Sequence, residues 1–532
     1  MSEATGGAIS RIRWLALAVC ALPCAVALRQ PVAPPPVLVP SAPPQVEVAE
    51  VAFVAPQSAG ALTGLVVYLS AGHGWIWHRF GEGWQRPEVE GLIEDVWTAG
   101  FVSEQLAPAL ERAGAVVLTA RERDPHRVSV QAGAREAVIT GEPQWSVVAP
   151  EGRGPVPLAS SLERREAAVV PGGSARWGLS LPASGSVEAY LWWGAGSECG
   201  AAVEVELSGP DGVQRQRLDQ RVHGEAWWPL GAVRGLEGDA VEVSLRAAPG
   251  EALCLGGVRL GGGEIEAWDA RARQVRVARA YDLAALHVLP AMGAPWWSGA
   301  GGKGLDGDAT RRARWAAWAH PEGEEAVYLS IHSDAGGGRG TAVVIRERPR
   351  GPADQGVARG SLEVARAVRR GLVGAVRGRR AAWWRDRGVV VDDLAELDPV
   401  HNGEMPAVLI EVGFHDRADE AALLRERTFQ ELAADGVVAG LARWRGGALP
   451  PGPPVLRVEE GALWWEAALP GTPWGPVDTW QLRWQQGGRW TPPLAVGQPP
   501  VQLPRGVEAV EVQGLGQGGL GRPAQLQLSG GH

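Results

Sequence analysis

Apolar runs that end in small or ionisable residues recur along this chain, and they predict the buried strands of a parallel sheet. The first run, LTGLVVYLSA, leads directly into GHGW and places His73 between two glycines. A stretch with helical spacing follows over residues 92–113, in which Pro108 predicts a break or a kink. The next apolar run, AVVLTA at 115–120, completes a strand–helix–strand pattern that predicts a right-handed crossover.

The pattern changes twice further along the chain. From about Val128 to Gly263, short alternating runs separated by Gly, Pro and Asp predict a β-sandwich. Helical spacing and buried runs then return, with strands predicted at 325–334, 340–347 and 405–414 and helices at 362–376 and 419–444. After a Gly/Pro-rich stretch, alternation resumes and predicts a second, smaller β-sandwich.

These patterns predict an α/β fold in which a mostly parallel sheet with flanking helices is interrupted by an inserted β-sandwich. The predicted segments are a signal peptide (1–27), a Pro-rich linker (28–60), the first part of the α/β domain (61–127), the insert (128–263), the second part of the α/β domain (264–445), a linker (446–453) and a C-terminal β domain (454–532).

The N-terminus indicates export. Arg11 and Arg13 precede an apolar run that ends in Ala25-Val26-Ala27, which offers small residues for signal-peptide cleavage. An uncleaved anchor is the alternative, but the run is short for a span, which needs about 20 apolar residues. We therefore expect a periplasmic, cell-surface or extracellular protein without a permanent membrane span.

The two cysteines that would remain after cleavage, Cys199 and Cys254, are an even pair in an oxidising compartment. They are either a disulfide or two small buried residues.

Composition excludes some classes of function. The 532 residues are 45% hydrophobic and 21% charged, which fits folded domains rather than disorder. The formal net charge is −9 and no basic stripe is present, so nucleic acid is not an expected partner.

Three ionisable residues at the ends of separate apolar runs indicate a reaction site. His73, His332 and Glu411 each end or interrupt a predicted buried strand, where burial without a partner is costly. Ligands of open α/β sheets bind beyond the carboxyl ends of the strands. Imidazole and carboxylate groups are zinc ligands, and a catalytic zinc keeps three protein ligands and one open position.

The chain resembles the zinc-dependent N-acetylmuramoyl-L-alanine amidases of the type-3 family, which cleave peptidoglycan. The resemblance rests on four motifs in the family's order: AGHGW, GLIEDVWTAGFVSEQLAPALERAGAVVLTARERD, SIHSDAG and MPAVLIEVGFHDRADEAALL. It implies that His73, Glu94 and His332 bind Zn²⁺ and that Glu411 is the general base and later the acid. The expected bond joins the muramic acid lactyl group to the L-alanine of the stem peptide.

The first motif departs from the family pattern. Ser70 and Ala71 stand where the family has Asp-Pro, and Trp75 replaces a glycine. We expect an altered groove lined by Trp75, Trp77 and Trp84. The lost aspartate puts in doubt a residue that would orient a metal ligand. Asp95 is a rival to Glu94 as the carboxylate ligand, although the Gly-Leu-Ile-Glu context favours Glu94.

The β segments carry weaker resemblances. The insert resembles golvesin C-terminal-like β-sandwich domains through ARWGLSLPASGSVEAYLWW and EAWWPLGAVRG, and this implies a glycan-binding or positioning role; a spacer is the alternative. The tail resembles a fibronectin type III domain, with an unrelated sandwich as the alternative. For the whole chain, a non-catalytic wall-binding protein and a zinc hydrolase acting on a different amide remain open as alternative functions.

Overall fold

A six-stranded sheet built from both parts of the predicted α/β domain is the centre of the fold. The computed structural model describes residues 59–78, 81–148, 165–269, 272–294, 305–346, 360–469, 471 and 473–528. The predicted signal peptide and all but the last two residues of the first linker lie outside these residues. In the part of the chain that is described, no helix has the length and apolar character needed to cross a membrane.

The first part of the α/β domain contains a helical segment that lies between two strands of the central sheet. Its elements are β1 (Val66–Ala71), β2 (Trp75–His78), β3 (Gly81–Trp84), α1 (Glu94–Gly100), a π-helical turn (Phe101–Leu106), α2 (Ala107–Arg112) and β4 (Val116–Thr119). The predicted break at Pro108 takes the form of that π turn, which ends two residues before the proline. Proline has no N–H to donate and its ring crowds the preceding turn, so the backbone widens there.

The insert forms two larger sheets that pack on each other. Its strands are β5 (Val130–Gly133), β6 (Val138–Thr140), β7 (Gln144–Val148), β8 (Arg165–Pro171), β9 (Ser174–Ser180), β10 (Gly185–Trp192), β11 (Val203–Gly209), β12 (Gly212–Leu218), β13 (Trp228–Gly235), β14 (Ala240–Arg246), β15 (Ala252–Leu255) and β16 (Gly257–Leu260). The sheets have the orders β13-β10-β16-β5 and β12-β11-β14-β9-β6, and a smaller one has the order β15-β8-β7. Cys199 and Cys254 form a disulfide, so that alternative is confirmed.

The second sheet segment carries most of the helices. Its elements are β17 (Glu264–Asp269), β18 (Gln274–Arg279), α3 (Ala285–Ala291), α4 (Leu305–Ala319), β19 (Ala326–Asp334), β20 (Thr341–Ile345), α5 (Ser361–Arg379), β21 (Asp386–Val391), β22 (Ala407–Phe414), α6 (Ala418–Arg425) and α7 (Arg427–Trp444). The prediction of a single closing helix over 419–444 is wrong in one respect. It is two helices, because Glu426 has an extended backbone between them.

The central sheet has the strand order β21-β20-β22-β19-β1-β4. Strands β4, β1, β19 and β22 run parallel to one another, whereas β20 is antiparallel to β22 and parallel to β21. The mixed α/β class with a mostly parallel sheet is therefore confirmed. The carboxyl ends of β1, β19 and β22 meet at one edge of this sheet.

Both faces of the central sheet are buried, which explains the continuous apolar runs. In β1, Val67 and Leu69 join a core with the helices, while Val66 and Tyr68 join a core that extends into the insert. Alternate residues of a strand point to opposite faces, so such a strand needs apolar residues throughout.

The C-terminal segment forms separate β sheets. Its strands are β23 (Val455–Glu459), β24 (Ala462–Glu466), β25 (Thr479–Gln486), β26 (Arg489–Trp490), β27 (Leu494–Val496), β28 (Val501–Gln502), β29 (Ala509–Gly516), β30 (Gly519–Leu520) and β31 (Ala524–Gln527). They share a small core around Trp465 and Trp480. The proposed domain boundaries and the golvesin and fibronectin resemblances stay predictions.

The paired tryptophans of the insert do not lie on its surface. Trp192, Trp193, Trp227 and Trp228 are all buried. A sugar stacking on their faces is therefore not supported, and glycan contact through the insert stays a prediction without these residues.

Candidate metal and catalytic site

His73 lies on a sharp turn that begins where β1 ends. It adopts a left-handed backbone (φ 66°), which is uncommon for a residue with a side chain. A Cβ on Gly72 would lie 2.5 Å from the His332 ring, and Gly74 has φ 122° with Ala284 2.6 Å from where its Cβ would be. The two glycines thus let this turn press against its neighbours and bring His73 close to His332.

Glu94, at the first position of α1, is the carboxylate that meets both histidines. Its Oε1 lies 3.0 Å from His332 Nδ1 and 3.4 Å from His73 Nε2. Burial alone would raise the pKa of Glu94, but its bonds to His332 and His73 hold that pKa well below the usual range. Glu94 is therefore ionised.

The pKa values of the two histidines are shifted in opposite directions. Burial lowers the pKa of His73 to about 4, which makes it a neutral imidazole at neutral pH. Burial also disfavours the charged form of His332, but hydrogen bonds with Glu396 and Glu94 outweigh burial and raise its pKa to about 10. In a protein without a bound cation, a proton on His332 thus offsets the surrounding carboxylates.

The three side chains fit one small metal ion. His73, Glu94 and His332 each offer one ligand atom, these atoms lie within 4.8 Å of one another, and all three residues are buried. Ligands about 2.0–2.1 Å from a tetrahedral zinc lie about 3.3 Å apart. The 3.0 and 3.4 Å separations around Glu94 Oε1 match that spacing. Two nitrogens and one oxygen also leave a fourth position open for a small ligand.

Asp95, the rival carboxylate, has a different task. It accepts backbone N–H bonds from Gly74 (2.8 Å), Gln85 (2.7 Å) and Arg86 (3.1 Å). Burial raises its pKa to about 6. Asp95 thereby holds the His73 turn and the residues that follow β3 at the start of α1, and its carboxylate is occupied.

Glu411 lies beside the metal group on the next strand. It is the register partner of His332 in the parallel β19–β22 pair, so the two side chains share one face of the sheet. Burial raises the pKa of Glu411 to about 8, and its Oε2 has no hydrogen-bond partner among the described residues. A partly protonated carboxyl group in this position can take up and return a proton near neutral pH.

Glu396, which the sequence did not single out, is the most connected polar residue of the site. It lies on a 3₁₀ turn (Ala395–Leu397) between β21 and β22 and is buried. Its Oε2 lies 3.3 Å from His332 Nε2, on the side of the ring opposite Glu94. Its sequence context, DDLAELDP, contains no chemical motif, and the departure at position 70 put a residue that orients a metal ligand in doubt without pointing to Glu396.

The other residues weighed from the sequence have structural contacts. Arg121 is buried and donates to the backbone carbonyls of Asp95 (3.0 Å) and Tyr281 (3.0 Å). Trp77, expected to line a groove, packs instead in a small core. Trp75 and Trp84 face each other across the β2–β3 hairpin, with ring centroids 5.4 Å apart.

The second part of the α/β domain contains a match to a known protein family. Residues 306–443 match the family model described as N-acetylmuramoyl-L-alanine amidase. That segment contains His332 and Glu411, whereas His73 and Glu94 precede it. No curated protein matches the chain.

Several solved structures are similar to part of the chain. The N-acetylmuramoyl-L-alanine amidase from Clostridium difficile 630 is 28% identical, with 22% of this chain and 56% of that chain covered and a TM-score of 0.18. The catalytic domain of the amidase CwlV from Bacillus (Paenibacillus) polymyxa var. colistinus is 25% identical, with 26% and 64% covered and a TM-score of 0.20. The amidase Ami1 from Mycobacterium smegmatis is 25% identical, with 26% and 61% covered and a TM-score of 0.21.

This chain thus spans between 56% and 64% of the length of those three structures. The likeness to this enzyme family is limited to residues 306–443.

Proposed function

We propose that this protein is an exported, zinc-dependent amidase that hydrolyses the bond between N-acetylmuramic acid and the L-alanine of the peptidoglycan stem peptide. The observation that carries the proposal is the convergence of His73, Glu94 and His332 on one point, beside Glu411. The family match over 306–443 supports the choice of substrate.

In this proposal the metal has three protein ligands and Glu411 is the proton carrier. A bound Zn²⁺ supplies Lewis-acid polarisation of the scissile carbonyl and lowers the pKa of water to about 7. Glu411 accepts a proton from the attacking water and then gives it to the departing amine of L-alanine. His73 contributes a neutral imidazole, and Glu94 contributes a negative charge that favours a cation.

The β domains and the exported location complete the proposal. The predicted signal peptide would bring the enzyme to the wall, and the insert and the C-terminal domain would position it there. The Cys199–Cys254 disulfide supports an oxidising compartment.

The test measures release of soluble muropeptides from purified sacculi together with the metal content of the protein. We expect release by the wild type and a decrease of about 10²–10⁴-fold in Glu411→Gln, since general acid–base catalysis contributes about that much. Glu411→Gln should keep its zinc. Glu404→Gln, which alters an exposed carboxylate on the segment leading into β22, is the matched control and should remain active.

The outcomes separate the alternatives. Zinc without release from any type of wall would contradict the proposal and favour a zinc hydrolase of another amide. A protein that binds sacculi but neither holds zinc nor releases muropeptides would favour the non-catalytic wall-binding protein.

A further inference from the structure

Position 70 is where the first motif departs most from the resembled family, and the structure shows what occupies that region. Ser70 is fully buried near the end of β1. Its hydroxyl lies 3.3 Å from Glu396 Oε1 and accepts a hydrogen bond from Arg312 at 3.3 Å. A carboxylate from a distant loop therefore lies beside the side chain that stands in the place of the aspartate.

Glu396 is held by partners on several elements. Its Oε1 accepts hydrogen bonds from Tyr328 (2.5 Å), Ser330 (2.6 Å) and Ser70 (3.3 Å). Its Oε2 lies 3.1 Å from Arg312 Nη2, and both side chains of that ion pair are almost completely buried. A carboxylate buried with this many donors has a fixed position, since each lost partner would leave a buried polar group unsatisfied.

The position of Glu396 matters because of the His332 ring. Nδ1 of that ring faces Glu94 and the metal position, while Nε2 faces Glu396 Oε2 at 3.3 Å. A metal-binding histidine commonly donates its other N–H to a carboxylate, which fixes the ring orientation and makes the free nitrogen a better ligand. Ser330 Oγ lies 3.1 Å from the same Nε2 and also donates to Glu396 Oε1, so it contacts both side chains.

We propose that Glu396 is the positioning residue for the metal ligand His332, and that it supplies from the β21–β22 loop the carboxylate that position 70 lacks. Ser70 and Glu396 together then do what a single acidic residue at the end of β1 could do. This inference rests on the metal site of the proposed function, but it does not depend on which amide is cleaved.

The experiment compares zinc dissociation constants by competition with a chromogenic chelator. Glu396→Gln keeps the size of the side chain and removes its charge, and we expect zinc to bind about 10–100-fold more weakly. In the double variant Ser70→Asp/Glu396→Gln a carboxylate returns to the same buried space beside Arg312, and we expect tighter zinc binding than in Glu396→Gln. Glu404→Gln, in the same loop but paired with His320, should match the wild type.

Far-UV circular dichroism shows whether each variant is folded, and the double variant keeps the charge balance around Arg312 should Glu396→Gln alone fail to fold. Zinc binding within twofold of the wild type in folded Glu396→Gln would overturn the proposal. So would a double variant that binds zinc no more tightly than the single one. A wild type that binds zinc but releases no muropeptides would count against the catalytic proposal instead, so the two failures are distinguishable.

Discussion

Two networks of buried charge differ in what neutralises their carboxylates. The junction network lies between the central sheet domain and the insert. In it Arg123 pairs with Glu111 at 2.6 Å and with Glu188 at 3.1 Å, and Arg259 pairs with Glu122 at 2.7 Å. Guanidinium groups thus compensate these carboxylates directly.

The site network at the carboxyl edge of the sheet is organised differently. Arg312 pairs with Glu396, behind His332. Glu94, by contrast, faces two imidazoles, and the nearest guanidinium among the described residues is that of Arg86, 3.8 Å away and 40% exposed at its side chain. A buried carboxylate whose closest side-chain partners are two imidazoles is suited to bind a cation.

The difference shows how to distinguish a structural ionic cluster from a metal site when both are buried. In the junction network each of these carboxylates lies within 3.1 Å of a guanidinium group. In the site network the ligand atoms approach each other at the spacing of tetrahedral ligands, and a proton on His332 stands in for the charge of a metal. We expect the first network to respond to loss of an arginine and the second to loss of zinc.

The largest effect on stability should come from removing an arginine of the junction network. Arg123→Met leaves Glu111 and Glu188 buried without their shared partner, and breaking a buried ion pair costs about 3–5 kcal/mol. In urea denaturation, the unfolding midpoint of Arg123→Met should be lower than that of the wild type. Arg135→Met, which breaks an exposed pair with Glu166, is the matched control, and no resolvable change is expected. Equal effects of the two substitutions would contradict the account.

A somewhat smaller effect on the free energy of unfolding should follow from zinc binding at the site network. A ligand that binds only the folded protein stabilises it by about 2.7 kcal/mol at 100 times its dissociation constant. We expect the free energy of unfolding of the chelator-treated wild type to rise by that amount on addition of zinc. His73→Ala should show almost none of this rise. The same rise in both proteins would place the zinc elsewhere.

A further effect concerns the pH dependence of stability at the junction network. Burial raises the pKa of Glu188 from 4.5 to about 7, with Arg123 opposing this shift. The folded protein thus holds the proton more tightly than the unfolded chain, so the stability from this group is fully present below about pH 4.5 and is lost as the pH rises through about 7. In Glu188→Gln this loss is absent. The stability difference, variant minus wild type, should therefore increase between about pH 5 and about pH 8 in urea titrations; a difference that stays constant would contradict it.

Sequence reasoning reached the strands of the site because their signal is local. Apolar runs that end in His73 and His332 predict buried strands, and the structure brings these residues together with Glu94. The sequence favours Glu94 over Asp95 only through its Gly-Leu-Ile-Glu context, because both residues start the same helix. Only the N–H groups of Gly74, Gln85 and Arg86 show that Asp95 is occupied.

The parts that sequence reasoning missed depend on contacts between distant segments. Glu396 reaches His332 from 64 residues away, through a short 3₁₀ turn without periodicity. Trp77 was expected at a groove because aromatic residues near a site suggest a surface, but the β2–β3 hairpin turns it into a core with residues of β17 and β18. The division of the last helix at Glu426 has no Gly or Pro to signal it.

The most direct test of the central claim is zinc content by mass spectrometry of the purified protein and two histidine variants. We expect one zinc per chain in the wild type and in His415→Ala, because His415 is a buried histidine bonded to Ser333 and lies outside the metal group. His332→Ala should contain essentially none. Zinc retained in His332→Ala, or absent from a folded wild type supplied with zinc, would contradict a metal site formed by His73, Glu94 and His332.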